Sequence, residues 1–188
     1  MANRYEMRFT GSGGQGVILA SVILAEAAVI AGQHAVQSQA YGPEARGGLC
    51  KAETVISSGD ILFTKVMQPD FLLAMTQGSL EKYIGNTAEN AVVLMDAELT
   101  LPQNISSLRV VSLPVLETAR VEVGKLMTAN IVAVGAINAL LGLFDRDILL
   151  EAVRRHIPKG TEALNEKALA AGQALVSEEL AAQCKVTL

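Results

Sequence analysis

Three glycines near the N-terminus have a spacing that could form a site for an anion. Gly11, Gly13 and Gly16 keep the G-x-G-x-x-G register between a predicted strand at residues 5–10 and an apolar helix from Val17. Without Cβ atoms, such glycines allow a tight turn, a bare backbone surface and close packing of helix on strand. The first helical amides have no partner within the helix, so they form a shallow positive site for phosphate or carboxylate. Open α/β folds also use this turn for packing alone, so both readings stay open.

A second segment, residues 41–48, has the composition of a shaped loop, because Pro43 fixes one φ angle and three glycines punctuate the rest. We expect this loop at the carboxyl end of the second strand, the edge of an open α/β sheet where ligands bind. Arg46 offers fork-shaped donors to an anion, or an ion pair to Glu44 or a partner chain. Tyr41 offers an aromatic face and a hydroxyl, or packs as a lid. The candidate ligand-binding residues are Gly11, Gly13, Gly14, Gln15, Gly16, Tyr41, Gly42, Pro43, Glu44, Arg46 and Gly47.

No complete catalytic or metal-binding motif accompanies these candidates. His34 and His156 have no motif around them, and we expect the first to open a strand and the second to lie near a helix C-terminus. Cys50 and Cys184 are too far apart in sequence for a C-x-x-C site. The two thiols and two histidines therefore cannot form a zinc site or hold an iron–sulfur cluster without ligands from other residues or chains. Both cysteines are expected to be free and buried. We therefore predict no catalytic residue and no metal ligand in this chain.

The apolar pattern predicts the elements that must position the two glycine-rich segments. Buried runs alternate with helical or connecting stretches, which favours an open, mostly parallel sheet with helices on both faces. With 188 residues, we expect one domain spanning 1–188. Predicted strands cover 34–39, 50–57 (an edge strand), 70–76, 91–96 and 109–115, and predicted helices cover 17–31, 79–84, 116–123, a segment after 145–147, and 161–182.

The stretch 126–144 carries no charge in nineteen residues, and its length alone would permit a membrane span. Asn130 and Asn138 lie inside it, Gly135 and Gly142 interrupt it, and no aromatic belt flanks it. We therefore favour a helix buried against the sheet or against a partner subunit. We also expect Asn130 and Gly135 to mark close packing, since a buried Asn requires hydrogen-bond partners.

Composition narrows the class of partner. The net charge is −4 with no basic run, which argues against nucleic acid as a ligand. Hydrophobic residues make up 51% of the chain and charged residues only 18%, so we expect a partner to cover some apolar surface. The N-terminus shows no secretion signal, which predicts a cytoplasmic location.

The two glycine-rich segments together resemble the gamma subunit of the 2-oxoacid:ferredoxin oxidoreductases, of the 2-oxoglutarate or pyruvate type. The resemblance rests on GSGGQG at 11–16 and YGPEARGG at 41–48, at this spacing. It continues through KLMTAN at 125–130 and LNEKALAAG at 164–172, so it covers nearly the whole chain. Indolepyruvate oxidoreductase subunits share parts of the pattern.

This resemblance implies one subunit of an enzyme that oxidatively decarboxylates a 2-oxoacid, joins the acyl group to coenzyme A and passes electrons to ferredoxin. In that family other subunits or domains hold the thiamine diphosphate and the iron–sulfur clusters, so this chain would bind no cofactor alone and would be inactive in isolation. It would work as part of a hetero-oligomer with the thiamine-binding and iron–sulfur subunits. Its glycine turn and loop would face those subunits, near coenzyme A or thiamine diphosphate.

Two other functions remain open from the residues. A free-standing dinucleotide-binding oxidoreductase would usually carry an acidic residue near the end of the second strand, where this chain has Gln37 and Gln39. A purely structural interaction subunit would use its glycines for packing and its loop for protein contacts only.

Overall fold

The computed structural model describes residues 3–41, 48–103, 105 and 108–186. Six strands form one sheet in the order β2-β3-β1-β4-β5-β6. Their bounds are β1 Arg4–Ser12, β2 His34–Tyr41, β3 Leu49–Ser57, β4 Phe71–Ala74, β5 Val92–Asp96 and β6 Arg109–Leu113.

Strand direction confirms the mostly parallel α/β sheet with one departure. β1, β4, β5 and β6 pair in parallel, whereas β3 is antiparallel to both β1 and β2. β2 consequently runs in the same direction as β1, and only β3 is reversed. The prediction that residues 50–57 form an edge strand is wrong, because β3 lies between two neighbours and β2 forms the edge.

Seven helices connect and cover the sheet in the described part of the chain. They are α1 Val17–Ile30, α2 Gln77–Tyr83, α3 Val115–Thr118, α4 Ala129–Leu141, α5 Arg146–His156, α6 Glu162–Ala174 and α7 Glu178–Cys184. The predicted helix 116–123 is α3 followed by a π-helical turn, Ala119–Val123, that ends at Gly124. The predicted final helix 161–182 is instead two helices, since Ser177 caps α7 by accepting a hydrogen bond from the Leu180 amide at 3.2 Å.

The two faces of the sheet are covered unequally. Along β1, the buried Met7 and Phe9 join the large core with α1 and α4. The opposite face packs a small core beneath α2, around Leu72 and Leu80. Beyond the first helical layer, α5 packs against α1 and α6 packs against α4. Helix α1 is not covered on every side, since Val29 is 57% exposed.

Helix α4 explains the uncharged stretch 126–144. Twelve of its thirteen residues are buried, and its neighbour α6 approaches it at two glycines. A Cβ on Gly135 would lie 2.2 Å from the Leu169 carbonyl oxygen, and a Cβ on Gly172 would lie 1.9 Å from the Val132 carbonyl oxygen. The side-chain Nδ2 of Asn138 donates to the Phe144 carbonyl, and its Oδ1 accepts from the Phe144 backbone amide. The prediction of a buried, closely packed helix is confirmed, and in the described ranges no helix meets the length and hydropathy that a membrane crossing needs.

Several large apolar side chains remain exposed in the chain. Leu62, Phe63 and Met67 lie in the irregular segment between β3 and β4, and Val121, Leu126 and Met127 flank the start of α4. Of these, Leu62 is 95% exposed and Met127 78%. Large apolar side chains that are clustered and this exposed to water are typical of surfaces that another protein covers.

Candidate functional site

The glycine turn lies at the carboxyl end of β1 and opens directly into α1. Gly11 and Ser12 still pair with β3, and Gly16 is the N-cap of α1 with φ +72°. The backbone must adopt the left-handed conformation at Gly14 as well, where φ is +99°. The chain reverses within four residues, and Gly13 and Gly14 are exposed at the tip of the turn.

Gln15 holds the turn together through its side chain. Its Oε1 accepts from the Ser12 amide at 2.8 Å, and its Nε2 donates to the Met75 carbonyl at 3.1 Å. The Gln15 amide donates to the Ser12 carbonyl at 3.2 Å, and the Gly13 amide donates to the Gly48 carbonyl at 3.1 Å. Two of the four amides from Gly13 to Gly16 are therefore used inside the protein. Among the described residues the amides of Gly14 and Gly16 have no acceptor, so they remain free for a ligand.

Asn130 packs directly against Gly16, which joins the glycine turn to the N-terminus of α4. A Cβ on Gly16 would lie 2.7 Å from Asn130 Nδ2 and 2.8 Å from Asn130 Cγ. Asn130 is only 6% exposed, and its side chain makes no hydrogen bond within the described ranges. The expectation of close packing at Asn130 is confirmed, whereas the expected hydrogen-bond partner is not found there. Its pairing with Gly16 could not be read from the sequence, since 114 residues separate the two.

A cavity of about 250 Å³ lies beside this junction, between α1, the start of α4 and the start of α6. Asn130, Leu164 and Asn165 line it, which brings the two further segments of the family resemblance together. Lys125 is the only charged side chain among the described residues that line the cavity. The remaining lining is apolar or hydroxylic: Leu19, Met127, Thr128, Ile131, Ile157, Pro158 and Thr161.

The second predicted segment starts at the same edge of the sheet. Tyr41 ends β2 and pairs with Cys50, which in turn pairs with Gly11 of β1. The predicted position at the carboxyl end of the second strand is thus confirmed. Gly42, Pro43, Glu44, Arg46 and Gly47 lie outside the described residues, and their part in a site stays a prediction.

Insertion of β3 changes what the edge can bind. In a dinucleotide-binding domain the second strand lies next to the first, so its last residue reaches the ribose. Here β3 separates β1 from β2, which places the end of β2 two strand spacings, about 10 Å, from β1. Gln37 also donates to Ser21 Oγ at 3.0 Å, so it is used in packing β2 on α1. This geometry argues against a dinucleotide site.

The histidines and cysteines occupy structural positions. His34 opens β2 and His156 ends α5, as predicted. Cys50 and Cys184 are free and buried, also as predicted. No group of three or more potential metal ligands forms within the ranges that the structure describes. The absence of a cofactor in the isolated chain, the cytoplasmic location and the domain limits 1–188 stay predictions.

The fold and the site define a class of protein: an open α/β domain whose glycine turn, in the described part of the chain, leaves two backbone amides free for a ligand. The model of one family, described as pyruvate ferredoxin/flavodoxin oxidoreductase, matches residues 6–175. The chain belongs to this family.

Individual relatives are similar to this chain over nearly its whole length. The 2-oxoglutarate synthase subunit KorC of Methanocaldococcus jannaschii is 39% identical over 178 residues, covering 93% of this chain and 95% of the relative. The crystal structure of the keto/oxoacid ferredoxin oxidoreductase gamma subunit from Geobacter sulfurreducens PCA is 41% identical, with a TM-score of 0.82, and covers 97% of this chain and 98% of that chain. The 2-oxoglutarate:ferredoxin oxidoreductase from Magnetococcus marinus shares the fold, with a TM-score of 0.83 at 21% identity, across 31% of its own chain. These relatives are subunits or parts of 2-oxoacid oxidoreductase complexes, so the resemblance to the gamma subunit and its fold is confirmed.

Proposed function

We propose that this chain is the gamma subunit of a 2-oxoacid:ferredoxin oxidoreductase and that its carboxyl sheet edge completes the active-site region of the complex. The reaction is oxidative decarboxylation of a 2-oxoacid to an acyl-CoA, with electrons passed to ferredoxin. Thiamine diphosphate and iron–sulfur clusters are held by the partner subunits. Among 2-oxoacids, 2-oxoglutarate is the substrate we propose, because a relative that aligns with 93% of this chain is a 2-oxoglutarate synthase subunit.

One observation carries the role of the carboxyl edge. The amides of Gly14 and Gly16, which have no acceptor among the described residues, open at the N-terminus of α1, and Lys125 lines the adjoining cavity. Free amides, the helix dipole and an ammonium group together favour an anion. Coenzyme A carries phosphates and a long amide-containing arm, so we assign these groups and Arg46 to its phosphates. The exposed Leu126 and Met127 beside them would contact the partner subunit.

A purely structural role is the second candidate. The Gln15 side chain and the Gly13 amide bind other parts of this chain, which is what a turn used only for packing requires. In this alternative the same edge contacts protein alone, and no residue of the edge affects the affinity for coenzyme A.

The test uses the complex obtained by co-expressing this chain with its thiamine-binding and iron–sulfur subunits. Arg46→Ala and Lys125→Ala should each raise the KM for coenzyme A about tenfold, since each removes a charge-assisted hydrogen bond. The KM for the 2-oxoacid and the amount of assembled complex should stay unchanged. Arg146→Ala is the matched control, because it removes one exposed cation at the start of α5.

Two outcomes separate the candidates. If Arg46→Ala keeps its apparent affinity for coenzyme A and its assembly, the assignment of Arg46 is wrong. If neither cation affects the coenzyme while the exposed apolar edge is needed for assembly, the subunit is structural. Comparing 2-oxoglutarate with pyruvate as substrate of the same complex tests the 2-oxoacid.

A further inference from the structure

A second cleft lies at the opposite, amino edge of the sheet, where the parallel strands begin. It has a volume of about 330 Å³ and lies between the start of β1, the residues before β4 and β5, the start of β6 and the C-terminal segment after α7. Backbone hydrogen bonds hold its strands in register, from the Asp70 amide to the Glu6 carbonyl at 2.8 Å and from the Val92 amide to the Asp70 carbonyl at 2.9 Å. Tyr5 lies about 25 Å along β1 from the glycine turn, so the two sites are separate.

The Tyr5 hydroxyl in this cleft is buried without a hydrogen-bond partner. Tyr5 is 9% exposed and lines the cleft, and its hydroxyl oxygen contacts neither solvent nor an acceptor or donor among the described residues. Burying a polar group unpaired costs about 1–3 kcal/mol, so native proteins nearly always pair such groups with protein, water or ligand. The pKa of Tyr5 is raised, first by burial and then by the nearby Asp70 carboxylate. The hydroxyl therefore keeps its proton and can donate it in a hydrogen bond.

Two cations and two carboxylates line the same cleft. Arg109 and Lys185 are exposed, and Arg109 uses Nη1 to bind the Gln183 carbonyl at 2.7 Å. Asp70 accepts from the Glu6 amide through one carboxylate oxygen at 2.8 Å, and Glu89 is exposed. In the described part of the chain none of the four pairs with another of them. Their charges balance, so an anion alone or a cation alone would satisfy only half of them.

We propose that this cleft binds a small zwitterion of the α-amino acid class. Its carboxylate would lie between Arg109 and Lys185, its ammonium group would face Asp70 and Glu89, and the Tyr5 hydroxyl would complete the set. The volume accommodates a free amino acid. Because the cleft lies at the edge away from the glycine turn, a ligand here would bind without competing with coenzyme A. The proposal is independent of the function assigned to the carboxyl edge.

The chain contains only three tyrosines, so ring-labelled tyrosine makes the binding measurable by NMR on the full-length protein. L-alanine, L-glutamate and L-lysine are the probes, with 2-oxoglutarate as an anion without an ammonium group and methylamine as a cation without a carboxylate. At least one amino acid should shift the Tyr5 resonance saturably, whereas 2-oxoglutarate and methylamine should bind at least tenfold more weakly. Arg109→Gln should weaken the amino acid about tenfold or more, because it removes a charge-assisted contact.

Tyr5→Phe and Tyr83→Phe form the matched pair for the hydroxyl. Tyr83 lies on the other face of the sheet, where Arg8 and Lys82 contact its ring, so Tyr83→Phe should leave binding unchanged. Tyr5→Phe, followed by calorimetry, should weaken binding about three- to tenfold and leave the ligand-free protein at least as stable as wild type. A loss of stability on Tyr5→Phe without ligand would mean that the hydroxyl has a permanent internal partner, and the proposal would fail. It would fail equally if no amino acid gave a saturable shift, or if 2-oxoglutarate bound as well as the amino acids.

Discussion

Alanine at Gly16 tests the junction between the glycine turn and α4. Gly16 has φ +72°, which an alanine adopts at a cost of about 1–2 kcal/mol. The new Cβ would also lie 2.7–3.0 Å from Asn130 Nδ2, Cγ and Cβ. Because the Asn130 side chain is buried at the start of α4, it cannot move away freely, and overpacking of this kind costs about 1–3 kcal/mol more.

The expected loss for Gly16→Ala is therefore about 2–5 kcal/mol in the free energy of unfolding. Gly32→Ala is the matched control, since Gly32 has φ +78° and a Cβ there meets nothing within 4 Å. It should cost only the backbone part, about 1–2 kcal/mol. The difference between the two variants isolates the contact with Asn130.

Urea unfolding followed by far-ultraviolet circular dichroism measures all of these variants. In the double variant Gly16→Ala with Asn130→Ala, two of the three close contacts disappear, so part of the loss should be recovered, with a coupling of about 0.5–3 kcal/mol. Equal losses for Gly16→Ala and Gly32→Ala would refute the reasoning. Strictly additive effects in the double variant would refute it too.

Two further predictions concern the helix pair and the amino edge. Gly172→Ala should destabilise the protein by about 3 kcal/mol in urea unfolding, because the new Cβ would lie 1.9 Å from the Val132 carbonyl oxygen. Gly85→Ala is the control, since a Cβ there meets open space, and it should change stability by no more than about 0.5 kcal/mol. Similar losses for the two variants would contradict this packing. Burial raises the pKa of the Asp70 carboxyl in the folded state, so the protonated carboxyl favours folding. This contribution to the free energy of unfolding is fully present below the pKa of Asp70 in the unfolded chain, and it is lost as the pH rises through the pKa in the folded protein. Asp70→Asn should remove that loss in unfolding measurements between pH 3 and 7, and parallel pH profiles for variant and wild type would contradict it.

Local features of this fold were predictable because they depend on neighbours in sequence. Gly14 and Gly16 adopt left-handed backbone conformations, which glycine favours, so the sequence predicted the turn at residues 11–16. The apolar run from Val17, interrupted only by Ser21 and Glu26, predicted α1. Short apolar runs predicted β4, β5 and β6 close to their observed ends. The His34 and His156 positions followed from the same local reasoning.

Other features depended on contacts between distant segments. Residues 50–57 alternate as a half-exposed strand would, yet β3 is inserted between β1 and β2 and is mostly buried. The alanine-rich stretch 161–182 reads as one helix, but it breaks before Ser177 so that α7 can turn back towards α4. Neither pairing leaves a signal in local periodicity.

The candidate site divides in the same way. Residue type predicted which groups could bind an anion: glycines for free amides and Arg46 for charge. Lys125 joined this candidate site only through the fold, because it lines the cavity beside the glycine turn. Which of the turn amides remain free was decided by the folded chain, because the carbonyls of Gly48 and Ser12 accept hydrogen bonds from the amides of Gly13 and Gln15. The sequence by itself determined the local conformations, since φ restrictions and apolar spacing act within a few residues. Only the tertiary structure decided which groups meet across the sheet, since strand order, the Gly16–Asn130 contact and the amino-edge cleft each join residues far apart in the chain.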